Sequence, residues 1–350
     1  MQFDLDARTA ALSVGEFSDF ALGPRDSVGG GAAGLWRAQL GTHWHNELRA
    51  QATVEHGPAA EFEISLAGRV VHRGWTLTLT GRIDQLIRTA PRVTLREIKS
   101  VTRPLPAEEA ELRRDYPEYF IQIATYGLLA RLGALAATAP DTAGFSPQLC
   151  FVEAASGLAQ TLALTPADEN LCRAQLERVA EFLDLRLRAR ERLRGLRFRP
   201  AFAAPRPGQE TTQAELTALF AGHPLVLFEA PTGFGKTGVL LEFALGQLRS
   251  GHFDRALYLT SKSTGQLQVV RTLASMTVEK VMGQGSSVMG SANPSPLTSH
   301  SSPATAPAVA AWHVRNKAEH CVNHTFHCVR ESCGYLADAA TRWPQSGLAR

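Results

Sequence analysis

Cysteine is scarce: five in 350 residues, with Cys150 and Cys172 far apart and Cys321, Cys328 and Cys333 crowded near the C-terminal end. That spread excludes the disulfide framework of a small secreted domain and points to thiols kept reduced. Long apolar runs are absent too, since no stretch approaches the ~18 uninterrupted apolar residues of a membrane span. The opening MQFDLDARTA has early acids and no apolar leader segment, so no secretory signal is visible. These absences read as a cytoplasmic protein without a membrane partner. Charge of one sign is also lacking. The 36 Lys and Arg stand against 33 Asp and Glu, leaving +3, which permits a polyanionic partner without demanding one. Basic residues concentrate only between Arg186 and Arg199, where the alternatives are a solvated helix face and contact with a phosphate backbone.

What is present centres on Gly81 to Ser100, GRIDQLIRTAPRVTLREIKS. β-type residues run through Ile83 and Ile87 into Thr89-Ala90-Pro91, and a second such run spans Val93 to Ile98, so the pattern predicts a hairpin. Asp84 falls in its first strand and Glu97 in its second. Lys99, two residues beyond Glu97, shares that residue's face. Two carboxylates can hold a divalent cation, and an ammonium beside them can orient water or steady a phosphate. The same three residues also describe a solvated hairpin with cross-strand charge pairs. Upstream, Leu35, Trp36, Leu40, Trp44 and Leu48 recur at helical spacing and predict a helix to about Val54 displaying His45, with His43 as a competitor facing elsewhere. Downstream, Ala107 to Leu135 reads as helical, interrupted at Pro117, with Gln122 and Tyr126 on one face.

Taken in order, Gly41-x-x-x-His45, Gly81-x-x-Asp84, Glu97-x-Lys99 and Gln122-x-x-x-Tyr126 resemble the RecB-type branch of the PD-(D/E)xK nucleases, over roughly residues 30 to 165. The resemblance implies an α/β, restriction-endonuclease-like core. His45, Asp84, Glu97 and the Ile98 carbonyl would bind Mg²⁺ or Mn²⁺, Lys99 would be the catalytic lysine, and Gln122 and Tyr126 would brace the site or touch DNA. Many relatives carry four cysteines on an iron-sulfur cluster within the nuclease; with only Cys150 and Cys172 in that region, this chain does not.

Residues 1–34 end in a Gly-rich run and read as flexible; 35–199 form the expected nuclease domain. Within it, Phe62 to Leu66, a turn at Gly68, Val70 to His72 and Trp75 to Ile87 predict, with Val93 to Val101, a meander of about four strands. A strand pair over Pro147–Ala154 and Ala159–Thr165 precedes a long helix from Pro166 to Leu196, with Thr165 as its cap.

After a proline-rich linker, 200–280 reads as part of a P-loop (RecA-like) lobe. The strand Leu225 to Glu229 runs into Ala230-Pro231-Thr232-Gly233-Phe234-Gly235-Lys236-Thr237 and then a helix, the parts of a phosphate-binding loop. Backbone amides would cradle phosphates, Lys236 would reach the terminal ones and Thr237 would ligand Mg²⁺. The loop resembles that of superfamily 2 helicases, A-x-T-G-x-G-K-T, and Arg206-x-x-Gln209 resembles their adenine-reading Q motif, implying ATP. A further strand, Arg255 to Thr260, would lead to motif Ia.

Residues 281–311 contain no Asp, Glu, Lys or Arg and read as a disordered or long loop. In 312–350, Cys321, Cys328 and Cys333, set among histidines, resemble part of the iron-sulfur domain of XPD/DinG-type helicases, implying a 4Fe-4S cluster, or zinc with a histidine in place of the missing thiolate. No Asp-Glu motif II follows Lys236, so ATP turnover is not expected, and the chain reads as the N-terminal part of a longer nuclease-helicase. Two functions are consistent with these motifs: a metal-dependent DNA nuclease fused to an incomplete ATP-dependent helicase in DNA repair or processing, or a non-catalytic DNA clamp attached to one. Oligomeric state is not legible.

Overall fold

A computed structural model describes residues 1–21, 32–89, 92–133, 135, 144–277 and the isolated positions 309, 311, 313 and 314. Described residues up to Arg186 form one compact unit and those from Leu187 onward a second.

The first unit is built on a mixed seven-stranded sheet. Its first 21 residues, expected to be flexible, instead form β1 (Gln2–Asp4), β2 (Thr9–Ser13) and α1 (Val14–Ser18). The cause is local. Ala10 and Leu12 alternate inward on β2, and Ser13 and Glu16 close a reciprocal capping box at the start of α1. Helix α2 (Ala32–His56) comes next, then β3 (Ala60–His72), β4 (Trp75–Thr89) and β5 (Arg92–Val101) as an antiparallel meander.

The expected turn at Gly68 does not exist, so the meander has three strands rather than about four. Gly68 is a place of close approach: a Cβ there would lie 2.8 Å from Leu129 Cδ2. The turn falls at Arg73-Gly74, with φ 50° and 78°, the doubly left-handed geometry of a two-residue hairpin loop. Strand β4 is the spine of the sheet. β3 pairs along it, β2 lies parallel to residues 76–80, and β5 lies antiparallel to 85–89.

From β5 the chain crosses through α3 (Glu109–Asp115) and α4 (Pro117–Leu132), returns as β6 (Gly144–Glu153) parallel to β5, and turns back as β7 (Ala159–Ala163). Trp75, Leu77, Leu79, Ile83, Leu86 and Leu95 are fully buried in this sheet, and Phe120, Ile123 and Leu129 of α4 are buried as well. Helix α5 (Pro166–Arg194) is capped by Thr165 and Asp168. It buries Cys172, Leu176, Val179 and Leu183 at helical spacing. Gln175 fixes α1 to it, its amide donating to the Phe17 and Phe20 carbonyls at 2.7 Å each.

The second unit's described residues contain α6 (Gln209–Gly222), α7 (Lys236–Ser250) and α8 (Ser263–Thr277) and no strand. Leu196, Leu241, Leu245, Leu248 and Met276 are its core. The segments 225–229 and 255–260, expected as parallel strands of a RecA-like lobe, pair with nothing among the described residues. Leu227 is 92% exposed and Leu257 85%. A parallel strand is stable only between neighbours and under cover on both faces, and the described residues supply neither. The low-complexity stretch, apart from residues 309 and 311, and Cys321, Cys328 and Cys333 lie outside the described residues.

Candidate active site

The β4–β5 register pairs Gln85 with Arg96, and one step further along come Asp84 and Glu97. Asp84 Oδ2 accepts from the backbone N–H of Ile98 at 2.7 Å, so this carboxylate also ties the two strands together. Glu97 is 3% exposed, and its Oε1 accepts from Lys99 Nζ at 2.8 Å and Gln122 Nε2 at 2.7 Å. The spacing argument that put Glu97 and Lys99 on one face therefore matches the contact that forms.

Helix α2 brings the fourth group. Trp44 and Leu48 pack on Ile98, Cys150 and Val152, and Trp44 Nε1 donates to the Ala154 carbonyl at 3.0 Å. With those two seated, His45 Nδ1 lies 3.6 Å from Asp84 Oδ1. His43 stays exposed, its ring against Trp44. Tyr126 does not touch the carboxylates: its hydroxyl donates to the Arg82 carbonyl at 3.0 Å. Its ring passes so close to Gly81 that a Cβ there would lie 2.8 Å from it. Sequence reasoning missed Trp44 as the anchor of α2, although its place beside His45 on the apolar stripe was the available signal.

Burial governs the electrostatics. It pushes the Glu97 carboxyl up to about 7 although Lys99 opposes it, and it raises Asp84 although His45 opposes that. Burial works against the Lys99 ammonium, but Glu97 outweighs it, and the lysine pKa rises. Burial also pushes Tyr126 up to about 12. Glu97 Oε2 is buried with no hydrogen-bond partner, as are Gln85 Oε1 and Ser100 Oγ on the same two strands. An orphaned carboxylate oxygen near a second carboxylate, Asp84, that itself meets an imidazole suits a hard or borderline divalent cation, which would supply the missing interaction. Among the described residues, no three His, Cys, Asp or Glu side chains lie close enough to enclose an ion by themselves.

In the second unit, Gly233 and Gly235 adopt left-handed φ of 84° and 90°, and α7 begins at Lys236. Lys236 Nζ donates to the Ala230 and Pro231 carbonyls, so the loop wraps its own lysine. Thr232 is exposed and Thr237 half-buried. Gln209 is buried, and both ends of its amide are used: Nε2 donates to the Phe234 carbonyl and Oε1 accepts from Arg206 N–H. As placed, it braces the loop.

A mixed α/β core with two carboxylates and a lysine on adjacent strands defines the class of restriction-endonuclease-like proteins. The chain belongs to the PD-(D/E)XK nuclease superfamily, which matches it over residues 5–210. No curated protein matches. Among solved structures, "Crystal structure of SSO0001" is similar at 15% identity and a TM-score of 0.27, over 40% of this chain and 59% of that one. A likeness that slight supports no conclusion about fold or function. No helix among the described residues is long and apolar enough to cross a membrane.

Proposed function

We propose that this chain is a divalent-cation-dependent deoxyribonuclease whose centre is Asp84, Glu97, Lys99 and His45. The observation that carries the reading is the buried, partnerless Glu97 Oε2 beside a lysine on the same strand. Asp84, Glu97, His45 and the Ile98 carbonyl would hold Mg²⁺ or Mn²⁺, which when bound supplies Lewis acidity toward the phosphate and acidifies water. Lys99, held by Glu97, is placed to orient the attacking water or to donate to a phosphate oxygen as charge builds on it. Gln122 fixes the Glu97 carboxylate through Oε1, which leaves Oε2 as the oxygen that would ligate a cation. Tyr126 clamps α4 to β4 and so holds Gln122 in place.

The test is cleavage of single- and double-stranded DNA with Mg²⁺ or Mn²⁺ by the full chain beside Asp84→Ala and Lys99→Ala. Cleavage by the parent alone is expected. Equal and negligible cleavage by all three would leave a non-catalytic DNA clamp instead.

A second reading attaches to the loop 230–237, whose left-handed glycines and helix start at Lys236 favour phosphate binding. Here the reading is ATP binding without turnover, through Thr232, Gly233, Gly235, Lys236 and Thr237, as part of a helicase acting in DNA repair or processing. An iron-sulfur or zinc site at Cys321, Cys328 and Cys333 belongs to the same reading. Equilibrium binding of ATP, lost on Lys236→Ala, is the expected result; identical binding by both proteins would exclude it.

A further inference from the structure

Strand β3 is irregular at one place, opposite Asp84. Among the described residues, Arg8, Glu63 and Arg73 are the non-glycines with left-handed φ; Arg8 and Arg73 lie in turns, whereas Glu63, at φ 57°, lies inside β3. The β3–β4 register joins Phe62 to Gln85 and Ile64 to Ile83, and the one pair missing between Ala60 and His72 is Glu63 with Asp84. Glu63 Oε2 instead meets Arg82 Nε, two residues before Asp84 on β4, and the Arg82 side chain stays 66% exposed. The neighbouring Phe62 holds a second arginine: the Arg49 guanidinium carbon stands 4.7 Å from its ring centroid. Arg49 lies one turn beyond His45 on α2 and shares its face. Adjacent residues of β3 thus hold two guanidinium groups, one from the helix that carries His45 and one from the strand that carries Asp84.

Stability does not account for this arrangement. A left-handed backbone at a non-glycine residue costs more than a typical exposed ion pair returns. Edge protection is the plainer alternative, because β3 pairs only with β4 and an irregular, charged residue discourages further pairing. That alternative requires neither the position opposite Asp84 nor an arginine on each of two adjacent residues. A guanidinium held by a carboxylate, or laid on a ring, is pre-oriented and loses less freedom when it binds. Beside a pair of carboxylates suited to a cation, its matching ligand is a phosphate. Residues 82 and 84 of a strand are about 7 Å apart, comparable to the step between successive phosphates of one nucleic-acid strand.

We propose that Arg49 and Arg82 grip the backbone phosphates flanking the one at the Asp84–Glu97 centre, whatever the base sequence, and that Glu63 is the residue that positions Arg82. The inference rests on the nuclease reading of that centre, and it adds where the neighbouring part of the substrate is held.

The experiment measures binding of the full chain to DNA of two unrelated sequences across a salt series, in a chelator so that nothing is cut. Arg49→Gln and Arg82→Gln should each lower the slope of log affinity against log salt by about 0.7–0.9, equally on both sequences. Arg92→Gln, at the far end of β5, should leave the slope unchanged. Glu63→Gln decides the positioning role, because the two readings differ in sign. Removing a negative charge near phosphates tightens binding by charge alone, whereas losing the contact that holds Arg82 weakens it, by about threefold. The loss should vanish in an Arg82→Gln background. Glu63→Gly, which relieves the left-handed backbone, should weaken binding to the same extent while melting no lower than the parent. No binding by the parent, unchanged slopes in the Arg49 and Arg82 variants, an equal drop in Arg92→Gln, or losses confined to one sequence overturn the phosphate grip. Tighter binding by Glu63→Gln, or a Glu63→Gly protein that self-associates or melts lower with DNA binding intact, overturns the positioning role and leaves edge protection. Cleavage of the same DNA with Mn²⁺ separates the two claims. Slope losses without cleavage would support the grip and sink the hydrolytic reading, whereas cleavage with unchanged slopes would sink the grip alone.

Discussion

The β4–β5 hairpin and the loop 230–237 are two candidate sites of opposite construction. In the hairpin, chemistry sits just past the last β4–β5 pair, Gln85 with Arg96: Glu97 and Lys99 pair with β6, Asp84 is tied across by the Ile98 N–H, and all three take their positions from a sheet with fully buried neighbours. In the loop, geometry is local: two left-handed glycines and a helix start shape it, and the segment leading in, 225–229, pairs with no strand among the described residues. A site on a paired sheet gives fixed distances between groups far apart in sequence. A site on a loop gives only the shape of the loop, and whatever it binds must do the rest.

The sharpest way to break that contrast is to remove chemistry from the hairpin without removing its fold. Lys99→Ala should lower the DNA cleavage rate about a thousandfold while leaving the thermal unfolding midpoint close to the parent's. A cleavage rate within tenfold of the parent would mean that the hairpin is structural. Next in size are the cores. Leu79→Ala, at a fully buried position in β4, should cost about 2–5 kcal/mol in denaturant unfolding. Leu257→Ala, at a position 85% exposed, should change stability by no more than about 0.5 kcal/mol. A large cost at Leu257 would show that 255–260 is a buried strand after all, and the contrast would fail.

A smaller effect tests how the site is braced. Gly81→Ala puts a Cβ 2.8 Å from both the Tyr126 ring and Val14, and should cost about 1–3 kcal/mol. Because Tyr126 shares α4 with Gln122, cleavage should fall along with stability. Full activity in a destabilised Gly81→Ala protein would separate the brace from the chemistry.

How much of this was legible in advance depended on whether a local pattern had one physical meaning. The period-2 spacing of Glu97 and Lys99 has only one reading on a strand, and the two side chains do meet. Gln122 and Tyr126 were legible as one helix face, but not their division of labour, because their partners Glu97 and Arg82 come from other strands. Gly68 misled because a strand glycine marks either a turn or a close approach, and only the position of Leu129 decides which. Segments 225–229 and 255–260 have strand-like residues, yet a strand is made by its neighbours, which local sequence does not contain. The first 21 residues carry a short helix start, Ser13-x-x-Glu16, next to the Gly29 to Gly34 run that carries the opposite signal, and local sequence does not say which extends how far.

That capping box yields the smallest and most local effect. Hydrogen bonding to the Met1 amino group, and then to the Ser13 backbone and hydroxyl, lowers the Glu16 pKa from 4.5 to about 2. A carboxyl with a depressed folded-state pKa contributes stability above its unfolded value and loses it as pH falls through the folded value. Glu16→Gln should therefore unfold at a slightly lower temperature than the parent at pH 6, and the two midpoints should converge as pH is taken from about 4.5 toward about 2. Glu16 is exposed at the surface, so the difference should also shrink as salt is added. A gap that survives at pH 2 would mean that the side chain acts through packing rather than charge. In that case β2 and α1 would be held by the packing of Ala10, Leu12, Val14 and Phe17 and by Gln175, and this corner would obey the same rule as the hairpin core.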